Sequence, residues 1–150
     1  MTMEQGLISY SVIINSPAIL IWKMLTDIEL LKQWMLDDKI DILTNWEVNS
    51  PIIIEGNLHG MAFKNKGTVL KYDPYHTLCY SHLSSLSLLP DRPENYTNIE
   101  FKLEEQGGET GLNFTANNFP TETIKQHIGF YWNATLVILK ELSERNNLLS

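Results

Sequence analysis

The sequence predicts an α+β domain in which one antiparallel sheet of about six to seven strands packs against a long C-terminal helix. Two short helices are expected directly after the first strand. Three observations carry this prediction. Apolar and polar residues alternate through most segments up to residue 117, the period of half-buried strands. Short turn signals join consecutive segments, which favours antiparallel pairing. After Phe119-Pro120 the period lengthens, and Ile124, Ile128, Trp132, Leu136 and Leu139 recur three or four residues apart. A lone helix with such a stripe has to bury it against the sheet.

The elements follow in order. In residues 7–15, Ile8, Tyr10, Val12 and Ile14 form the buried phase of a strand. Ser16-Pro17 then suits a helix start, since serine can cap and proline lacks an N–H that the first turn would waste. The helix AILIWKML carries Trp22 and Leu25. Thr26 and Glu29 have the spacing of a capping box before a second short helix, ending near Trp34. KIDILT, PIIIEGNL and MAFKNKGTVLKY read as strands, with Gly67 marking a bulge or bend. Asp73-Pro74-Tyr75-His76 is a turn, and TLCYSHLS is the returning strand. Residues 85–95 hold two prolines and read as a loop. NIEFKLEEQ and GLNFTAN form a hairpin about Gly107-Gly108. Residues 121–144 are proline-free, enough for a helix of roughly 35 Å. With no repeat or linker, one domain over 1–150, with an ordered core at about 7–144, is the economical count.

Composition narrows the function. Eleven Lys and Arg against eighteen Asp and Glu give a net charge of −7, which argues against nucleic acid and anionic membrane as partners. The single cysteine, Cys79, excludes an internal disulfide and a cysteine-based zinc site. Neither a membrane span nor a secretory signal is expected, so the expectation is a cytoplasmic protein. No phosphate-binding, nucleophile-elbow or dinucleotide motif occurs, and the histidines 59, 76, 82 and 127 lack metal-ligand spacing. No catalytic residue, metal or cofactor is therefore assigned. Fifteen aromatic residues, one in ten, need cover.

Several motifs together resemble one superfamily. They are Ser16-Pro17 with Ile21-Trp22, then Leu25-Thr26-Asp27 followed by Leu30 and Trp34. Gly67-Thr68-Val69-Leu70 leads to Asp73-Pro74 and Leu78-Cys79-Tyr80. The hairpin Gly107-Gly108-Glu109-Thr110 and the closing helix from His127 to Lys140 complete the set. The chain is similar over nearly its whole length to the SRPBCC superfamily, the helix-grip fold of the birch-pollen allergen and START lipid-transfer domains. Within it the chain resembles the branch of activators of 90-kDa heat-shock protein ATPase homologues, C-terminal-domain-like. The resemblance implies a curved sheet gripping the long helix, with a cavity between them. It implies no single activity, because members bind lipids, hormones or polyketides, or act as cyclases or dehydratases.

Parity supplies the candidate site. His82 shares a strand face with Leu78 and Tyr80, so Tyr80 and His82 could put a hydroxyl and an imidazole into an apolar pocket. Phe101 and Phe114 share the apolar phase of the hairpin, Ile128 and Trp132 the apolar helix face, and Trp34 is expected near the mouth. The expected ligand is a small hydrophobic or aromatic, lipid-like molecule. Two alternatives stay open: a cyclase- or hydrolase-like enzyme using His82, and a chaperone-interaction domain. A homodimer through an exposed sheet edge is a further open partner. Cys79, of opposite parity, is expected as a filler on the other sheet face. Gly129 fits either close helix packing or room for a ligand.

Overall fold

The structure, a computed structural model, describes residues 6–35 and 39–149. Met1 to Gln5, which bear on the reading of the N-terminus, lie outside the described residues. Strand β1 (Leu7–Ile14) is followed by helices α1 (Ala18–Thr26) and α2 (Ile28–Trp34). Strands β2 (Ile40–Leu43), β3 (Pro51–Leu58), β4 (Met61–Asp73) and β5 (Thr77–Ser84) follow. Strands β6 (Thr97–Gln106) and β7 (Glu109–Asn117) and helix α3 (Glu122–Leu149) complete the chain. The seven strands form one antiparallel sheet in the order β1-β7-β6-β5-β4-β3-β2. Consecutive hairpins account for every neighbour except β1–β7, where the chain's first strand returns to the last. This is the α+β helix-grip arrangement expected from the sequence.

Each apolar phase turns toward α3. Ile99, Phe101 and Leu103 of β6 face Ala116, Phe114 and Leu112 of β7 in register, and all six are buried. Hairpin β6–β7 turns on Gly107 and Gly108, both at positive φ, the backbone that a two-residue connection requires. Gly67 answers to a different demand. A Cβ there would sit 1.7 Å from the Ser81 carbonyl oxygen, so β4 and β5 could not approach as they do. The register shift in this hairpin falls between Val69 and Lys71, just beyond Gly67.

Two helix starts differ from the expectation. Asp27, not Thr26, caps α2, accepting from the backbone N–H of Glu29 and Leu30. Thr26 lies inside the preceding helix, and its hydroxyl donates back to the Trp22 carbonyl at 2.8 Å. Ser16 does not cap α1 with its side chain. Glu105, at the far end of β6, accepts from the Ala18 N–H at 2.7 Å instead. A carboxylate satisfies an orphan N–H and suits the positive helix end, so a strand tip does the capping.

Helix α3 has 28 residues, and at 1.5 Å each it runs about 42 Å across the sheet. It lies along β1. Tyr10 Oη donates to the Gly129 carbonyl at 3.0 Å, and Lys140 Nζ to the Ile13 carbonyl at 3.0 Å. A Cβ at Gly129 would lie 3.3 Å from both Ile8 Cδ1 and Tyr10 Oη. Of the two readings of Gly129, close packing on β1 is the one realised.

Candidate functional site

The interface between α3 and the sheet closes at one end and opens at the other. At the closed end Trp132 is 4% exposed and stacks on Phe114, ring centroids 4.9 Å apart. Phe101 meets it edge-on at 5.4 Å, and Trp34 at 6.1 Å. Such pairs prefer these offset and edge-to-face geometries, each worth about 0.5–1.5 kcal/mol beyond area burial. Trp34 is fixed by its indole N–H, which donates to the Met24 carbonyl at 2.9 Å.

Beyond Trp132 the helix offers Ile124, His127 and Ile128, and the filling stops. A cavity of about 310 Å³ remains between helix and sheet. Small-molecule sites start at about this size. Its floor is buried and apolar: Ile54, Phe63, Tyr80, Ile99 and Trp132. Its mouth is made by the ends of β4 and β5, the short 3-10 turn Ser85–Ser87, Asn95 and the start of α3. There the lining residues Leu86 and His127 are exposed and Ser84, Ser87 and Ile124 half-buried. Register places the polar groups. Asn65 faces Ser84, and His82 faces Thr97, one strand further on.

Burial sets the electrostatics. His82 is half-buried, with its ring enclosed by the cavity wall, and desolvation pushes its pKa from 6.5 down to about 4. No charged neighbour contributes, so the imidazole is neutral at pH 7. Burial likewise raises the Tyr80 and Tyr131 phenols beyond the ordinary tyrosine range, with Tyr131 and Cys79 adding to the rise at Tyr80 and a hydrogen bond with Thr135 opposing it at Tyr131. The Tyr131 hydroxyl donates to the Met35 carbonyl, tying α3 to the end of α2. Cys79 is half-buried on the opposite strand phase, and its thiol rises to about 11 through burial first and Glu100 second. A thiol held protonated is a poor nucleophile.

The expected site residues divide between these two ends. Tyr80, His82, Ile128 and Trp132 line the cavity together. Phe101 and Phe114 are 1% and 0% exposed, belong to the packed aromatic cluster, and do not line it. Trp34 walls a separate void of about 10 Å³ beneath α2, room for at most one water, instead of standing at the mouth. Sequence reasoning missed Tyr131 and His127, although both follow the helical spacing from Ile124 and Ile128. It also missed Asn65 and Phe63, whose strand faces no single-strand parity could orient against α3. Leu83 and Ser84 line the cavity beside His82, at the end of β5, where pairing with β6 has stopped and pairing with β4 continues. Among the described residues no group of three His, Cys, Asp or Glu side chains could hold a metal ion. No helix among them is long and apolar enough to cross a membrane.

Sheet and helix together define a helix-grip fold. The family profile described as "Activator of Hsp90 ATPase homolog 1-like protein" matches residues 15–144, and the chain belongs to that family. Comparison with curated protein sequences finds no match. Among solved structures, ChR145 from Cytophaga hutchinsonii is 30% identical with a TM-score of 0.78, over 93% of this chain and 94% of that one. The Aha1 dimer from Colwellia psychrerythraea is 27% identical with a TM-score of 0.71, over 92% and 96%. Protein NE0264 from Nitrosomonas europaea shares the fold at 21% identity, with a TM-score of 0.77 over 97% and 99%.

Proposed function

We propose that the protein binds a small hydrophobic or aromatic, lipid-like molecule in the cavity between the sheet and α3. The observation that carries this reading is the partly enclosed space of about 310 Å³ with an aromatic and aliphatic floor. Tyr80, His82, Ile128 and Trp132 are the contacts expected from both sequence and placement. Binding is favoured over catalysis because, among the described residues, no carboxylate lines the cavity to pair with His82. The test is native mass spectrometry of the purified protein, together with displacement of a fluorescent apolar dye. Wild type should retain a ligand or bind the dye, and Ile128→Trp, which fills the space from the helix side, should abolish binding while still melting cooperatively. Absence of both ligand and dye binding in the wild type overturns the reading.

A second reading concerns self-association. Phe130 is 82% exposed and Val137 53% exposed, seven residues apart on the outer face of α3. The relative from Colwellia psychrerythraea is a dimer. Light scattering at assay concentrations should give twice the chain mass, and Phe130→Ser should return it to the monomer.

A further inference from the structure

Resting on the reading of the cavity as a ligand site, we propose that it selects an uncharged ligand: an apolar body carrying a hydroxyl head. The head lies at the mouth, between His82 and Asn65, with the body on the floor by Ile99 and Trp132.

The lining composition comes first. Among the described residues, no Asp, Glu, Lys or Arg side chain lines the cavity. A carboxylate or phosphate drawn inside would be stripped of water with no cation to meet it, and unpaired buried charge is strongly unfavourable. His82 does not supply the missing cation. Its surroundings keep the imidazole neutral at pH 7, as one donor and one acceptor.

The second argument is which polar groups remain available. Most of those at the mouth are already engaged locally. Ser84 Oγ accepts from the Leu86 N–H, and Ser87 Oγ donates to the Ser84 carbonyl at 2.7 Å. Asn95 Nδ2 donates to the Pro90 carbonyl at 2.9 Å, and Thr97 Oγ1 to that of Asn118 at 3.2 Å. Besides the exposed His127 imidazole and the Tyr80 hydroxyl on the floor, two groups are left. The His82 imidazole makes no hydrogen bond to the described residues, and Asn65 Oδ1 is buried without one. Leaving a buried acceptor unpaired is costly, and an Asn amide can turn to meet a donor. A hydroxyl suits both groups, because it donates to the amide oxygen and accepts from or donates to a neutral imidazole.

The test uses three probes with one bicyclic body, measured by calorimetry on the wild-type chain at neutral pH: 2-naphthol, 2-methoxynaphthalene and 2-naphthoate. The expected order is naphthol tightest, the methyl ether about threefold to tenfold weaker, and the carboxylate weaker than naphthol by about a hundredfold or more. His82→Leu should bring naphthol to within about twofold of the ether while leaving the ether's own affinity unchanged. Carboxylate binding as tight as naphthol, or an ether as tight as naphthol in the wild type, overturns the inference and leaves the cavity reading standing. Failure of all three probes overturns both. The wild-type comparison decides the matter even if His82→Leu does not fold.

Discussion

Helix α3 meets the sheet twice, with similar residue types and opposite results. Around Trp132, Phe101 and Phe114 the aromatic rings interlock and exclude everything else. One to two helical turns earlier, Ile124, His127 and Ile128 stand over Phe63, Tyr80 and Ile99 with space between them. The difference is not hydrophobicity, since both floors are apolar. It lies in how far the side chains reach. At the sealed end an indole comes down from the helix onto two phenylalanines that are in register with each other. At the open end the helix offers two isoleucines and a histidine that turns toward the rim, and the sheet answers with residues that do not fill the gap. A core and a pocket are thus one interface with two degrees of filling.

The largest expected effect breaks the sealed end. Phe114 is fully buried, stacks on Trp132, and lies 6.2 Å from the Tyr10 ring in a near-parallel arrangement. Phe114→Ala should destabilise the fold by about 3–5 kcal/mol, the transfer loss plus the cavity left behind. Phe63→Ala, at the cavity wall, should cost about half as much or less, since its ring already borders open space. Urea unfolding of both variants checks the contrast. Equal losses would mean that the two ends are packed alike.

The next effect is electrostatic and belongs to the open end. His82 has its pKa lowered in the folded state, from 6.5 to about 4. The unfolded chain therefore binds the proton more readily between these values. The stabilisation is complete above pH 6.5, is lost as pH falls toward 4, and loses nothing more below that. The shift sets a ceiling of about 3 kcal/mol, and water entering the mouth screens part of it, which leaves on the order of 1–2 kcal/mol. Unfolding at about pH 7 and about pH 4.5 should show this loss in the wild type beyond that of His82→Leu, whose remaining carboxylates titrate identically. Equal losses in the two proteins would place His82 in water.

These two halves were not equally legible in the sequence. The sheet and its order of elements could be read almost completely, because strand alternation and short turns are local signals. The sealed cluster was partly legible: the phase shared by Phe101 and Phe114 made them neighbours, and the helical stripe put Trp132 over the sheet. Their assignment to the lining could not be checked by parity, which says which face a residue takes but not whether the space there is filled. Filling depends on where α3 sits along the sheet, and that is set by contacts distant in sequence, such as Tyr10 with Gly129 and Lys140 with Ile13. The mouth was the least legible part. Asn65, Ser84 and Asn95 come from three different segments, and only the register of β4 with β5 and the path of the loop bring them to one rim.

The smallest effect concerns what holds the helix at this height. Gly129 lowers helix propensity by about 1 kcal/mol relative to alanine, so Gly129→Ala should stabilise α3 if the added methyl had room. It has little: Tyr10 Oη and Ile8 Cδ1 would both be 3.3 Å away. Ile8 can turn its terminal methyl aside. Tyr10 is less free, because its hydroxyl donates to the Gly129 carbonyl itself. Gly129→Ala alone should therefore change stability by less than about 0.5 kcal/mol, propensity gained against contact strained. Tyr10→Phe alone should cost about 1 kcal/mol for the lost hydrogen bond. In the Tyr10→Phe background the obstructing oxygen is gone, and Gly129→Ala should then gain about 0.5–1 kcal/mol. The double-mutant cycle measures that coupling directly. A coupling near zero would mean that the hydroxyl does not set the distance between α3 and β1, and that the open end of the interface is kept open by something other than the height of the helix.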